Sequence, residues 1–280
     1  MPGLILEGGT FRPIFTAGAL DALLAHDLMF DYIIGVSAGI SNAFSYVSRQ
    51  PGRNLEILRR FRNDSRYFGA RNLLRCGSVF GLDFMFEDIP RTHLPYDYDT
   101  LRRYDGRLRV GVTDACTGAP VYLDGRTLDD KGTMLRATCA LPLLFPPIDI
   151  EGTPYYDGGI ADPIPIRRAL ADGSRKNLII LTRTTAYRKQ PTRTDRLAAL
   201  RVGRRFPALP QVIAQRPKQY NDTLCFVRQL ETHHPDTTVV LRPSAPLSSF
   251  EKDVAQLEAS YRAGYALAES RLDDIRRLFN

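Results

Sequence analysis

No apolar run in the chain approaches the roughly 20 residues that a helix needs to cross a bilayer; the longest, such as Asn177 to Leu181, have the length of strands. The chain is therefore not expected to span a membrane. There is no basic leader followed by a long apolar stretch and a small-residue cleavage site either, since Met1 and Pro2 pass directly into Leu4-Ile5-Leu6. A cytoplasmic location is the expectation. Cysteine is scarce: Cys76, Cys116, Cys139 and Cys225 stand far apart, without a CxxC pair and without histidines at zinc-binding spacing. That argues against a redox motif, a metal site or a resident cofactor, and for reduced, mostly buried thiols. The glycine patterns of nucleotide-binding folds are missing too: no G-x-G-x-x-G with an acid about 20 residues on, and no G-K-[ST]. Neither an internal repeat nor a low-complexity tract occurs.

What remains has the composition of a globular protein. With 44% hydrophobic and 25% charged residues over 280 positions, there is chain enough for one large α/β domain with a covered core. A single domain over residues 1–280 is expected. The formal charge of +7 favours acidic partners, among them anionic lipid head groups and nucleic acid. Short β-branched or apolar segments alternate with stretches of helical period, the pattern of a mostly parallel sheet with helices on both faces. The expected fold is thus a three-layer α/β/α sandwich. Strands are predicted at Leu4 to Leu6, Asp31 to Gly35, Leu108 to Val112, Pro120 to Leu123, Asn177 to Leu181 and Thr237 to Leu241. Helices are predicted from near Ile14, Ala38, Asn54, Thr133, Ile164, Thr194, Pro210 and Phe250. Residues Asn63 to Tyr98, rich in Arg, Gly, Pro and aromatic side chains, break this rhythm. They read either as a cap beside a site or as an ordered excursion packed on the core. Arg183 to Lys218 holds ten basic residues and one acid, Asp195.

The segment Asp31-Tyr32-Ile33-Ile34-Gly35-Val36-Ser37-Ala38-Gly39 sets an apolar strand before G-x-S-x-G and a small-residue helix after it. A serine on such a strand-to-helix turn projects its hydroxyl from the sheet edge, while Gly35 and Gly39 remove side chains that would collide as the two elements close. Its backbone also lies at a helix N-terminus, which favours developing negative charge. Ser37 is therefore a candidate nucleophile. A Ser-His-Asp triad would need a histidine after the acid. Only His26, His93, His233 and His234 exist. The first precedes the serine and the second lies in the irregular insertion; the last two sit in what reads as a polar helix end leading into a strand. A different partner stands out in Tyr156-Asp157-Gly158-Gly159, where two glycines after an acid permit a sharp turn and a close approach by another segment.

Three features together resemble the patatin-like phospholipase family: a glycine-rich loop after the first strand, Gly8-Gly9-Thr10-Phe11-Arg12; Gly35-Val36-Ser37-Ala38-Gly39; and Asp157-Gly158-Gly159. Ala137-Thr138-Cys139-Ala140-Leu141-Pro142-Leu143-Leu144-Phe145-Pro146-Pro147 is similar to the family's segment leading to the acid. The likeness runs over about residues 4–183 in family order and is loose beyond. It implies a serine lipid acyl hydrolase with a Ser–Asp dyad and no histidine, in which Ser37 is the nucleophile and Asp157 takes its proton. A carboxylate near pKa 3.9 is a feeble base in water, but burial raises it and a fixed hydrogen bond aligns it. The resemblance also assigns the oxyanion hole to Gly8, Gly9 and Thr10, supported by Arg12, through backbone N–H groups aimed at the carbonyl oxygen.

Two positions depart from the family. Thr10 stands where a third glycine is common and loses cheap access to positive φ; Pro13 replaces a glycine, lacks an N–H and fits the first turn of a helix. These bear on the strength of activity more than on the reaction class. The expected substrate is a lipid or acyl ester, with Val79 to Phe86 and Leu141 to Phe145 either lining an acyl groove or belonging to the core. The basic stretch suits either contact with an anionic membrane surface or a solvated pair of helices. No base- or phosphate-reading motif supports nucleic-acid binding. Two other functions stay open: a non-catalytic lipid-binding protein on the same fold, and a lipid acyltransferase through the same acyl-enzyme.

Overall fold

A computed structural model describes residues 1–280, the side chain of Cys76 excepted. Its sheet contains β1 (Pro2–Leu6), β2 (Tyr32–Val36), β3 (Arg107–Asp114), β4 (Pro120–Asp124), β5 (Ile148–Ile150), β6 (Thr153–Asp157), β7 (Lys176–Ile180) and β8 (Thr238–Leu241). The order is β5-β6-β3-β2-β1-β7-β8, with β4 also paired to β3. The five strands from β3 to β8 along this path are mutually parallel; β4, β5 and β6 are antiparallel to their neighbours. Leu4-Ile5-Leu6 and Tyr32-Ile33-Ile34 are buried throughout, as strands covered on both faces must be.

Helices are α1 (Ile14–Ala25), α2 (Ser37–Val47), α3 (Arg53–Phe61), α4 (Ala70–Cys76), α5 (Tyr98–Arg102), α6 (Thr133–Cys139), α7 (Ile166–Ala171), α8 (Arg193–Gly203), α9 (Leu209–His233), α10 (Val254–Ser270) and α11 (Leu272–Arg277). Strand side chains alternate between two cores, as a period of two requires. Leu4, Leu6, Ile33, Leu178 and Ile180 pack on α1, α2, α10 and α11, whereas Ile5, Ile34, Ile179 and Val240 pack on α7 and α9. The result is a mostly parallel α/β sheet between two helical layers, the architecture expected from the sequence.

A third cluster lies beyond the C-terminal ends of β1 to β3. It joins Phe11, α3, the buried Tyr67, Phe80, Phe84 and Ile89 of the irregular segment, Phe145 and α8. Residues 63–98 thus pack on the body of the protein through their aromatic side chains, and they contain α4 and a π-helical segment, Phe84–His93. Neither was predicted, nor were α5, α11 and the β5–β6 hairpin. The expectation of mostly buried thiols is corrected. Cys116 is exposed in the turn between β3 and β4, where its N–H donates to Asp114 Oδ1 at 2.7 Å; Cys225 is exposed on α9; Cys139 is half-buried. The expectation for Cys76 lies outside the described residues. No helix among the described residues is long and apolar enough to cross a membrane.

Candidate active site

Register explains how Ser37 and Asp157, 120 positions apart in the sequence, come together. On β3, Gly111 faces Val36 of β2 and Tyr122 of β4, while the next residue, Val112, faces Asp157 of β6 and Val121 of β4. A strand has two edges, so β4 occupies one and β2 and β6 share the other. These two run in opposite directions and meet end to end: β2 finishes at Val36 and β6 finishes at Asp157, on consecutive rungs. Ser37 and Asp157 therefore emerge at one junction.

Several bonds lock that junction. Thr138 of α6, fully buried, donates from Oγ1 to the Gly111 carbonyl (2.6 Å) and accepts the Ser37 N–H (2.8 Å). Thr113 Oγ1 donates to the Asp157 carbonyl at 2.8 Å, and the Asp157 N–H donates to Ala140 at 2.9 Å. Ser37 itself has φ of 54°, a left-handed backbone that costs about 1–2 kcal/mol for a non-glycine residue and is typical of strained functional turns. Gly39 makes the turn possible, because a Cβ there would lie 2.3 Å from the Glu7 carbonyl oxygen.

Asp157 is buried, and burial pushes its pKa up to about 6. The Ser37 hydroxyl, the Gly159 N–H (2.7 Å to Oδ1) and the Arg216 guanidinium all favour the charged form and limit the rise. The carboxylate is thus more basic than in water yet largely ionised at neutral pH. Ser37 is also nearly buried, at 6% exposure.

The glycine-rich loop leaves β1 and passes directly over the serine. An added Cβ on Gly8 would lie 2.9 Å from Ser37 Cβ. Among the described residues the N–H groups of Gly8, Gly9 and Thr10 donate to no protein acceptor, so they are available to an oxyanion. Thr10 adopts the φ of 56° that glycine would take at lower cost. Arg12 sits behind the loop, its guanidinium against Gly9, its Nε donating to Thr182 Oγ1 (3.2 Å) and its Nη1 to Ser249 Oγ. Beneath it the buried Glu7 accepts from Thr182 N–H (2.6 Å) and Tyr220 hydroxyl (2.7 Å). Pro13 precedes the first residue of α1 at φ of −63°.

Two cavities meet at Ser37, sharing Thr10, Ser37 and Leu141 in their walls. One, about 190 Å³, is lined mainly by apolar groups including Ile14, Phe44, Leu58, Phe80, Phe86 and Phe145. The other, about 410 Å³, contains Asp157 together with Arg12, Arg183, Lys189 and Arg216. Of Val79 to Phe86, Phe80, Met85 and Phe86 line the apolar cavity while Val79, Leu82 and Phe84 belong to the core, and Leu141 to Phe145 contribute to the walls of both cavities. Burial and the neighbouring Arg216 push the Lys189 pKa down to about 8. The Cys139 thiol, beside Ser37 in the apolar cavity, is pushed up to about 12 by burial and stays protonated.

The histidines lie elsewhere. His26 bonds Glu269 (2.8 Å), His93 packs on Phe61 and Phe84, and His233 contacts the carbonyl of Gln229 at the exposed end of α9. Sequence reasoning missed Glu7, Thr138 and Arg216. Glu7 carried a signal, an acid closing an apolar strand immediately before the glycines. Among the described residues no group of three or more His, Cys, Asp or Glu side chains is placed to hold a metal ion.

Residues 4–170 match the profile of a family described as Patatin-like phospholipase, and residues 206–280 match a domain of unknown function. The chain is 32% identical over 184 residues to the Uncharacterized protein YjjU of Escherichia coli (strain K12), covering 64% of this chain and 51% of the relative. It is 28% identical over 137 residues to the 1-acylglycerol-3-phosphate O-acyltransferase Pnpla3 of Mus musculus, covering 47% and 32%. The chain thus spans about half the length of one curated relative and a third of the other. VipD from Legionella pneumophila aligns with a TM-score of 0.46 at 14% identity, over 97% of this chain and 66% of that one.

Proposed function

Because this chain belongs to the patatin-like phospholipase family, we propose that it cleaves carboxylic ester bonds of lipids through an acyl-enzyme on Ser37. The observation that carries the reading is the Ser37 hydroxyl set against a buried, raised-pKa carboxylate where an apolar cavity meets a polar one. The hydroxyl attacks the ester carbonyl and its proton passes to Asp157. Backbone N–H groups of Gly8, Gly9 and Thr10 take the negative charge that develops on oxygen; one such donor is typically worth about 100- to 1000-fold in rate. Collapse expels the lipid alcohol, which leaves with the proton from Asp157. A water deprotonated by the same carboxylate then releases the fatty acid.

A fluorophosphonate probe and a panel of p-nitrophenyl esters and phospholipids test this. Labelling and turnover are expected in the wild type and lost in Ser37→Ala. Turnover that survives Ser37→Ala, or that is abolished by a change at His233 or His234, removes the dyad. A wild type that neither labels nor turns over favours a lipid-binding protein on the same fold.

The mouse relative's name gives weight to a second reading in which a lipid hydroxyl replaces water as acceptor. The larger, polar cavity at Ser37 is where such an acceptor would enter. Product analysis with and without added lysophospholipid separates transfer from hydrolysis. The proposal also includes a membrane-facing rim. Leu73, Leu74, Leu197, Leu200 and Phe250 are exposed, Phe250 lines the polar cavity, and α8 presents Ala198 to the same cavity while Leu197 and Leu200 point outward.

A further inference from the structure

The polar cavity holds more positive charge than the dyad engages, since of its cations Arg216 alone acts on Asp157. Four cations line it, and the acids there are largely committed. Glu7 serves the Thr182 N–H and Tyr220 beside Arg12; Asp157 faces Ser37; Asp195 spends Oδ2 on the Thr192 N–H and hydroxyl and stands 3.8 Å from Arg216 Nη1, at the edge of an ion pair. Among the described residues no carboxylate pairs with Arg183 or Lys189. Arg216 Nε is buried with no hydrogen-bond partner, and an unmet buried donor is costly unless a ligand or water meets it.

These three cations are positioned rather than loose. Lys189 is fixed at its backbone by Asn221 of α9, which accepts its N–H (2.9 Å) and donates to its carbonyl (3.0 Å). The Arg183 guanidinium lies on the Tyr187 ring, 4.3 Å from the centroid. Arg216, one helical turn before Tyr220 on α9, faces Gly159 beside the dyad. Arg216, Arg12 and Arg183 repel the Lys189 ammonium, and Asp195 is the one carboxylate that offsets them there, so four cations crowd against a single shared acid. An anion of high charge density relieves that repulsion and supplies acceptors to several N–H donors at once.

Resting on the hydrolase reading, we propose that Arg183, Lys189 and Arg216 form a phosphate-ester subsite that holds the glycerol phosphate of a lipid while its acyl ester lies on Ser37. The acyl chain then occupies the apolar cavity, and the substrate class becomes an acylated glycerol bearing an exposed phosphate.

Calorimetric titration of glycerol 3-phosphate and of inorganic phosphate into the full-length Ser37→Ala chain reads the subsite without turnover. Glycerol 3-phosphate is expected to bind, and to bind about 10- to 100-fold more weakly in Lys189→Gln and in Arg216→Gln, the range set by one lost charge-assisted hydrogen bond. Lys189→Arg, which keeps the charge, is expected to retain binding and so separates recognition from misfolding. With Ser37 restored, Lys189→Gln should raise KM for a short-chain phosphatidate at least tenfold more than for the matching diacylglycerol. Absence of glycerol 3-phosphate binding, or binding indifferent to both Gln variants, overturns the subsite. Inorganic phosphate binding as tightly as glycerol 3-phosphate, with no discrimination between the two lipids, overturns the head-group assignment in favour of free phosphate. Loss of all ester turnover with charge-dependent glycerol 3-phosphate binding intact supports the subsite and removes only the hydrolase reading.

Discussion

As the proposed base, Asp157 would have to be ionised to take a proton from Ser37, yet it occupies a place where charge is expensive. Its folded pKa, raised from 3.8 to about 6, means that the native state binds this proton more tightly than the unfolded chain does. The stability contributed by the group is therefore fully present below about pH 3.8 and is lost as pH rises through about 6. Asparagine mimics the protonated form at every pH. Asp157→Asn is expected to lower turnover about 100- to 10,000-fold, the range for removing a general base, and to stabilise the fold at neutral pH by roughly 1–3 kcal/mol. In the wild type, kcat/KM should rise with pH through an apparent pKa near 6 and then level. A flat acid limb, or a variant no more stable in urea at pH 7 than the wild type, would count against Asp157 as the buried base. Among the other site residues, Ser37 was legible because its motif is contiguous. Thr138 was not: its hydroxyl bonds a backbone 101 positions away, and nothing near it in sequence says so. Thr10 was legible as a departure, and its φ of 56° gives that departure a physical form.

Elements with a continuous apolar run were easy to read, and those built by pairing alone were not. β1, β2, β7 and β8 are buried on both faces and announce themselves. β6, Thr-Pro-Tyr-Tyr-Asp, shows no alternation and holds a proline, and its hairpin partner β5 has three residues; both exist because β3 extends beyond β2 and leaves an edge to fill. Asp157 was therefore visible as an acid before two glycines, whereas the strand that aims it was not. Helix contacts add a similar case. Gly18 of α1 and Gly264 of α10 look like weak points in helices, but each lets the other backbone in: a Cβ on Gly18 would stand 1.9 Å from the Tyr261 carbonyl oxygen, and one on Gly264 would stand 1.9 Å from that of Phe15. Overpacking of this kind costs about 1–3 kcal/mol, more than the ~1 kcal/mol of helix propensity gained over glycine. Gly18→Ala is thus expected to lower the urea midpoint. A rise would show that α10 can withdraw from α1 without penalty.

For the whole molecule the distribution of charge and exposed apolar surface matters more than the net +7. Leu74 is 91% and Leu200 73% exposed, on α4 and α8, helices that also carry Arg71, Arg75, Arg193, Arg196 and Arg201. The loop holding α4 is tied to the cavity rim through Val79, whose N–H donates to Leu144, and through Phe68, whose ring lies 6.2 Å from that of Phe250. Leu144, Phe250 and Ala198 line the polar cavity, so α8 borders it and the loop that carries α4 adjoins its wall. Apolar tips among arginines suit the interface of an anionic bilayer, where each basic residue adds about 1 kcal/mol and the attraction falls within a Debye length. Binding to vesicles rich in phosphatidylserine is accordingly expected to exceed binding to phosphatidylcholine vesicles and to weaken steeply as salt is raised. Leu74→Asp combined with Leu200→Asp should reduce partitioning by about tenfold or more, since burying a leucine side chain is worth about 1.5–3 kcal/mol. Hydrolysis of a soluble p-nitrophenyl ester should survive that double change, because neither leucine lines either cavity. Sedimentation with the two vesicle types at low and high salt decides the matter: equal binding to both, or no response to the leucine changes, would mean that this face does not meet a membrane.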